Sequence, residues 1–121
     1  MMYTYRAKIV NIVDGDTFDA VVDLGFSIYQ KDRFRLYGID TPETYRPSCK
    51  AELEHGKAAK QLVEELILGK EVIIRTEKDK KGKYGRYLAD VLLDFSEENG
   101  ARTLTDALKE GGFEKKESYD E

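Results

Sequence analysis

Residues 3–24 read YTYRAKIVNIVDGDTFDAVVDL, and the architecture of the whole chain follows from the pattern in this stretch. Apolar and polar side chains alternate on both sides of Asp14-Gly15, a dipeptide common in tight turns between paired strands. A period of two residues places every second side chain on the same face of a strand. The stretch therefore predicts two antiparallel strands, Tyr3 to Val13 and Phe18 to Leu24, each with one buried face.

Three more strands are predicted further along the chain: Ser27 to Tyr37, Val72 to Ile74, and Tyr87 to Leu93. After the third strand, apolar residues recur every three or four positions, which predicts a helix from Leu53 or Gly56 to Leu68. Gly69 is a typical stop for such a helix. Thr103 and Asp106 resemble a capping box, which predicts a short second helix from Leu104 to Glu110.

Five short strands with a helix after the third match the five-stranded Greek-key barrel known as the oligonucleotide-binding (OB) fold, an α+β architecture. The 121 residues suit one compact domain. We expect this domain to occupy residues 1–113, followed by a charged, flexible tail over residues 114–121. Because this barrel carries many unrelated activities, function has to be argued from the site residues.

The amino-acid composition argues against a membrane protein, a disulfide-rich protein and a tight general binder of nucleic acid. Hydrophobic residues make up 40% and charged residues 36%, and no apolar run approaches the roughly 18 residues of a membrane-spanning helix. We therefore expect no membrane association and a cytoplasmic location, or secretion if the sequence is a processed form. Cys49 is the single cysteine, which excludes a disulfide framework. The net charge of −4 argues against tight, general binding of nucleic acid.

Three acidic residues follow predicted strands that should lie side by side: Asp16, Asp40 and Glu43. Taken singly each is more typical of an ordinary turn or loop. Together, two aspartates and a backbone carbonyl such as that of Thr41 would suit Ca²⁺ or Mg²⁺, whereas zinc prefers histidine and cysteine. The pattern therefore predicts a hard divalent cation.

Arg35 precedes Asp40 by five residues, and Arg86 stands at the start of the fifth strand. Alone, each arginine is equally well explained as a solvated strand residue. With a cation they could neutralise a phosphodiester, while Glu43 orients or deprotonates the attacking water. The combination indicates phosphodiester hydrolysis.

Four motifs carry a resemblance to a known family: Asp14-Gly15-Asp16-Thr17, Arg35-Leu36, Asp40-Thr41-Pro42-Glu43-Thr44, and Lys83-Tyr84-Gly85-Arg86. In this order and spacing they resemble the staphylococcal (micrococcal) nuclease family, also called thermonucleases. The similarity covers about Tyr5 to Phe113.

The resemblance implies that Asp16, Asp40 and the Thr41 carbonyl bind Ca²⁺, with Asp14 supporting the site from behind. It implies that Arg35 and Arg86 bind the scissile phosphate and that Glu43 is the general base, an assignment debated within the family. Lys83 and Tyr84 would contact the terminal phosphate or sugar. These roles are inferred from the resemblance to the family. The resemblance also implies a calcium-dependent nuclease that cleaves DNA, and by extension RNA, with little sequence specificity and leaves 3′-phosphates.

Family members usually continue past the second helix into aromatic residues that wall the nucleotide pocket, and then into a third helix. Here Ser118 and Tyr119 fall near one aromatic position. We expect a monomer, with an oligomer as the alternative because the family's C-terminal helix is missing here. The rival functions are a catalytically silent barrel of the same family that binds nucleic acid or acts as a scaffold, and a generic single-strand-binding barrel, which the acidic balance fits poorly.

Overall fold

The computed structural model describes residues 2–81, 87–93 and 102–119, and the structural statements below concern these residues. Within them the elements are strands β1 (Met2–Asp14), β2 (Thr17–Asp23) and β3 (Tyr29–Leu36), helix α1 (Lys50–Ile67), strands β4 (Glu71–Lys81) and β5 (Tyr87–Leu92), and helix α2 (Leu104–Glu110). None of the described helices is both long and apolar enough to cross a bilayer. The order of elements is the one that the sequence predicts.

The five strands form a closed barrel in the order β1-β2-β3-β5-β4. Strand β1 pairs with both β2 and β4, and its register against β2 shifts between Ile9 and Asn11 and again between Ile12 and Asp14. Such irregularities increase the local bend and twist of a strand. Strands β3 and β5 complete the barrel by a short parallel pairing in which Arg35 lies opposite Leu88. The predicted five-stranded barrel is confirmed.

The core lies inside the barrel and beneath α1. The rings of Phe18 and Phe34 stack with centroids 5.6 Å apart, as expected for two inward residues that are direct partners of β2 and β3. Val63 and Ile67 bring the apolar face of α1 into the same cluster. At the end of α1 the Gly69 amide donates to the Ile9 carbonyl at 2.8 Å, which fixes the helix against β1.

Helix α1 begins at Lys50, earlier than the predicted start at Leu53 or Gly56, and its last residue is Ile67. The prediction was wrong because the first turn contains Lys50, Ala51 and Glu52, which show no apolar periodicity. Glu52 is nevertheless buried, with 1% of its surface exposed. The predicted stop is confirmed, since Gly69 follows the helix with φ of +76°, which glycine adopts without strain.

Two strand predictions need correction. The fourth strand is longer than Val72 to Ile74 and extends to Lys81, so part of the predicted lysine-rich loop has strand backbone. Its later residues are polar, and a barrel strand can be extended by backbone pairing that side-chain patterning does not reveal. The third strand begins at Tyr29 instead of Ser27, because Gly25, Phe26 and Ser27 all have positive φ and form the turn after β2.

Helix α2 has the predicted bounds and the predicted capping box. The Thr103 hydroxyl accepts from the Asp106 amide at 3.1 Å, and the Asp106 carboxylate accepts from the Thr103 amide at 3.4 Å. In the first turn of α2, the Thr105 amide donates to the buried carboxylate of Asp90 at 3.3 Å. These bonds satisfy amides at the helix start that have no partner within the helix.

Candidate active site

The β1–β2 turn places Asp16, the first of the predicted site residues in this turn, against the loop that follows β3. A Cβ atom at Gly15 would lie 3.0 Å from Thr41 Oγ1 and from Thr41 Cγ2, so a side chain at this position would press against the loop. The nearby Asp16 carboxylate is largely buried, and its two oxygens accept from the Thr17 hydroxyl at 2.9 Å and the Thr41 amide at 3.1 Å. The turn and the loop therefore form one unit.

Arg35 lies at the end of β3 and holds the next part of the loop. Its Nη1 donates to the carbonyls of Leu36 at 2.6 Å and Ile39 at 3.2 Å. Its Nη2 pairs with the Asp40 carboxylate and lies 3.5 Å from Asp16 Oδ2. One guanidinium nitrogen therefore contacts both of the predicted metal-binding carboxylates, which places these three side chains in one site as the sequence predicts.

The two aspartates differ in exposure. The side chain of Asp40 is 74% exposed, whereas that of Asp16 is 13% exposed. Thr41, which follows Asp40 directly, is buried, and its hydroxyl oxygen has no hydrogen-bond partner among the described residues. Asp14 lies behind this group and accepts a short hydrogen bond from the Thr44 hydroxyl. The role predicted for Asp14 in supporting a metal site stays a prediction.

Sequence reasoning missed Glu52, a carboxylate that organises the loop from inside the protein. Glu52 Oε1 accepts from the Ser48 amide at 2.6 Å, and Oε2 accepts from the Glu43 amide at 3.4 Å. Burial raises the pKa of Glu52, but the bonds from Ser48 and Glu43 and the charge of Lys115 outweigh it and hold the pKa below the ordinary value of 4.5. The signal available was a glutamate three residues after Cys49 at a helix start.

Glu43 occupies the exposed side of the same loop. Within the described part of the chain, its carboxylate makes no hydrogen bond or ion pair, although its amide is held by Glu52. Helix α1 supports this loop closely, because a Cβ atom at Gly56 would lie 2.7 Å from the Pro42 carbonyl oxygen and 3.0 Å from that of Glu43. The backbone that carries the exposed Glu43 carboxylate is therefore held in place by Glu52 and by the close packing of α1 at Gly56.

The segment after α2 also contacts the site. The Lys115 amide donates to the Asp40 carbonyl at 2.7 Å, and its ammonium lies 3.4 Å from Glu52. His55 joins α1 to the segment through the Gly112 carbonyl and the Tyr119 hydroxyl, each at 2.8 Å. Residues predicted as a flexible tail thus make specific contacts, while their flexibility stays a prediction.

Three predicted site residues, Lys83, Tyr84 and Arg86, lie outside the described residues. Their roles stay predictions. Among the residues described, no group of three or more His, Cys, Asp or Glu side chains could hold a metal ion. The predicted donor set is smaller, with two carboxylates and one backbone carbonyl, and it uses water for the remaining positions.

The chemistry of these donors fits a hard cation. Asp16 Oδ1 accepts one hydrogen bond, from Thr17, which leaves a further lone pair on this oxygen, whereas Oδ2 accepts from Thr41 and also lies 3.5 Å from Arg35 Nη2. The exposed Asp40 carboxylate can bind an ion that keeps several waters, as Ca²⁺ and Mg²⁺ do. The unpartnered Thr41 hydroxyl is a further buried oxygen at the same place. The residues present therefore fit Ca²⁺ better than a metal that prefers nitrogen or sulfur.

The sequence is also similar to those of known proteins. A family model described as "Staphylococcal nuclease homologue" matches residues 33–119. The chain belongs to the staphylococcal nuclease family.

The curated relatives of this family member include enzymes named as nucleases. It is 37% identical over 82 residues to a thermonuclease of Staphylococcus intermedius, a match that covers 68% of this chain and 45% of the relative. It is 32% identical over 112 residues to endonuclease YncB of Bacillus subtilis, covering 88% and 48% of the two chains. A micrococcal nuclease of Shigella flexneri is 34% identical over 101 residues, covering 84% and 50%. This staphylococcal nuclease homologue spans about half the length of these relatives.

Proposed function

We propose that this protein is a calcium-dependent nuclease that hydrolyses phosphodiester bonds of DNA and RNA with little sequence specificity. The observation that carries the proposal is the position of Arg35 Nη2, which contacts the carboxylates of both Asp16 and Asp40. A phosphate binder and two oxygen donors for a hard cation thus lie in one site. Family membership and relatives named as nucleases support the same activity.

The charges at this site favour an anionic substrate once a divalent cation is bound. Asp16 and Asp40 carry two negative charges, and Arg35 carries one positive charge. A cation of charge +2 therefore leaves the group with a net charge of +1, which attracts a phosphodiester of charge −1. Bound Ca²⁺ would polarise a phosphate oxygen and offset the charge that develops in the transition state.

The protein's own groups divide the remaining work. Arg35 binds a phosphate oxygen, and Arg86, which precedes β5 in the sequence, is proposed to bind the same phosphate. Glu43 orients or deprotonates the attacking water, since its exposed carboxylate follows directly on the loop that carries Asp40 and Thr41. Lys83 and Tyr84 are proposed to hold the terminal phosphate or sugar. Cleavage on this pattern releases products with 3′-phosphates.

The test is a digestion assay with plasmid DNA, single-stranded DNA and RNA, in Ca²⁺ and in excess chelator. We expect cleavage only with Ca²⁺, and 3′-phosphate ends in the products. Asp40→Asn should abolish cleavage, while Glu65→Gln, which removes an exposed charge from α1, should not change it. Intact substrates after incubation of the wild-type protein with Ca²⁺ would favour the catalytically silent module instead.

A further inference from the structure

Outward-facing residues of β1, β2 and β3 form a surface that starts at Arg35 and runs away from the candidate active site. Inward residues such as Ala7, Ala20 and Phe34 are buried, so their neighbours in each strand point outward. We call this surface the strand face; it comprises Arg6, Lys8, Asp19, Val21, Asp23, Tyr29, Lys31 and Arg33.

The strand face is basic on a chain that is acidic overall. It has four basic and two acidic residues, which gives a net charge of +2, whereas the whole chain has a net charge of −4. Positive charge is therefore concentrated on this face and next to the candidate phosphate site. Polyanions are attracted to such a surface even when the protein as a whole repels them.

The register of β3 sets the spacing of this charge. Arg35 pairs with Thr17, Arg33 with Asp19, Lys31 with Val21, and Tyr29 with Asp23. Successive outward residues of a strand are about 6.6–6.8 Å apart. This spacing is close to the distance between successive phosphates in an extended single strand of nucleic acid. If one phosphate of such a nucleic-acid strand is bound at Arg35, the next lies near Arg33 and the one after it near Lys31.

The basic side chains along β3 and β1 are not equally available to bind phosphate. Arg33 donates two hydrogen bonds to Asp19, at 2.8 and 3.2 Å, which lower the pKa of Asp19 and neutralise the arginine. In the described residues, Lys31 and Lys8 make no ion pair, and both are exposed. Lys31 and Lys8 lie on opposite sides of Val21 in one row across the three strands. These two lysines therefore provide the free positive charge.

The far end of the strand face has an aromatic residue beside a groove. Tyr29 is 63% exposed. It lines a groove of about 540 Å³ together with two basic residues, Arg6 and Lys8, and two acidic residues, Asp23 and Glu71. Because Val21, Val72 and Ile73 also line it, the groove offers apolar contacts, an exposed ring and two cations to a nucleobase and its phosphate.

We propose that a single strand of the substrate extends from Arg35 across Lys31 to Tyr29, with Lys31 and Lys8 binding phosphates and Tyr29 stacking on a base. The inference rests on the proposed nuclease function, because it identifies the substrate as an extended single strand several nucleotides long. Stacking on Tyr29 requires an open base face, which a duplex does not offer along its length. The strand face is continuous with the candidate site and complementary in charge to the substrate.

The test measures binding separately from cleavage. Fluorescence anisotropy with a labelled single-stranded oligonucleotide of about twelve nucleotides, in chelator, reports affinity alone. We expect the Lys8→Ala/Lys31→Ala double variant to weaken binding about tenfold or more and to reduce the slope of log affinity against log salt by about 1.4, since each single-strand phosphate contact contributes about 0.7. Lys31→Arg should retain the affinity of the wild-type protein. Lys57→Ala, at an exposed position of α1, should not change that affinity.

Two further variants separate direct contact from a general change of structure. Tyr29→Ala should weaken binding roughly fivefold or more, whereas Tyr29→Phe retains the ring and the affinity. Asp19→Asn removes the charge that holds Arg33, and should therefore tighten binding of the oligonucleotide. A gain in affinity is not expected from a residue that only supports the fold.

Failure of this inference can be distinguished from failure of the proposed function. If the wild-type protein cleaves DNA but the lysine double variant binds the oligonucleotide as tightly as Lys57→Ala does, the path along the strand face is wrong. If the protein cleaves nothing but binds the oligonucleotide in a way that depends on Lys8, Lys31 and Tyr29, the path is supported and the hydrolytic function is refuted. Equal binding of duplex and single strand would also overturn the path.

Discussion

The carboxylate of Asp16 accepts a hydrogen bond from the backbone amide of Thr41 at 3.1 Å, which joins the β1–β2 turn to the loop after β3. This bond gives a buried carboxylate two tasks. The carboxylate fixes the backbone of a loop that carries Asp40 and Glu43, and under the proposed function it would also supply an oxygen to the cation. The consequences of removing Asp16 and Asp40 should therefore differ.

We expect Asp40→Asn to weaken Ca²⁺ binding tenfold or more while changing the free energy of unfolding without Ca²⁺ by about 1 kcal/mol at most, because its side chain is 74% exposed. Asp16→Asn should weaken Ca²⁺ binding equally and also cost about 1–2 kcal/mol, since a neutral amide replaces the charged acceptor of the Thr41 amide and loses the ion pair with Arg35. Calorimetric titration and thermal unfolding with and without Ca²⁺ measure both effects. Unchanged Ca²⁺ binding in Asp40→Asn would show that the ion lies elsewhere.

Gly56→Ala should displace the active-site loop. The added Cβ would lie 2.7 Å from the Pro42 carbonyl oxygen and 3.0 Å from that of Glu43. Alanine favours a helix by about 1 kcal/mol over glycine, but crowding of this kind costs about 1–3 kcal/mol. We therefore expect no gain in stability and a clear loss of kcat in the digestion assay.

Ala58→Ser is the matched control for Gly56→Ala, because it also adds one heavy atom to α1 but at an exposed position. It should leave both stability and kcat close to wild type. A Gly56→Ala protein that is more stable and fully active would show that the loop adapts freely to the helix.

Glu43→Ala should lower kcat about a hundredfold or more and leave the free energy of unfolding within about 0.5 kcal/mol, since the side chain is exposed and makes no polar contact in the described residues. The measurements are the digestion assay and urea denaturation of the same preparation. Comparable losses in activity and stability would assign Glu43 a structural role.

The barrel and the central part of the site were predictable because they depend on local patterns. Alternation around Asp14-Gly15 defines β1 and β2, and the antiparallel pairing of β2 with β3 brings Thr17 opposite Arg35. A turn after β1 and a loop after β3 then lie at the same end of the barrel. Asp16 and Asp40 were therefore expected to meet, and they share a contact with Arg35.

The support of the site was not predictable, because it depends on contacts between distant residues. Glu52 has the sequence environment of a solvated glutamate at a helix start, and its burial follows from the loop amides and from Lys115, which lies far along the chain. His55 similarly contacts Tyr119 through the folded structure alone. A single sequence shows which residue types are charged but does not show which of them become enclosed.

Glu52→Gln should loosen the loop and change the response of stability to acid. Ser48 can still donate to the amide oxygen, but the new NH₂ group would face the Glu43 amide and the Lys115 ammonium, which are donors as well. We expect a loss of about 1–3 kcal/mol at pH 7, because hydrogen bonds to a charged group are removed. Glu54→Gln, on the exposed side of α1, is the control.

The pH dependence follows from the lowered pKa of Glu52. Its contribution to stability is fully present above the unfolded pKa of about 4.5 and is lost as the pH falls through the lower folded pKa. The difference between wild type and Glu52→Gln in urea denaturation should therefore be constant above about pH 5.5 and shrink below pH 4.5. A difference that does not depend on pH would mean that the charge of Glu52 does not hold the loop.

Asp90→Asn should have the opposite effect, because Asp90 is a buried acid that the fold does not fully compensate. Burial raises its pKa, and hydrogen bonds from the Val91 and Thr105 amides to Oδ1 only partly offset this. Asparagine can accept both of these bonds through its own oxygen, while its NH₂ group can donate to the adjacent hydroxyls of Thr103 and Thr105. The variant therefore keeps the contacts with α2 and removes the buried charge.

A raised pKa means that the folded state favours the protonated form of Asp90. This stabilisation is present below the unfolded pKa of about 3.8 and is lost as the pH rises through the folded pKa, above which the buried charge costs stability. We expect Asp90→Asn to be more stable than wild type by about 1 kcal/mol at pH 7, with the advantage vanishing near pH 3.5. Urea denaturation at several pH values, with Glu65→Gln as the control, measures it. A variant that loses stability at pH 7 would show that the charged carboxylate is needed to hold α2.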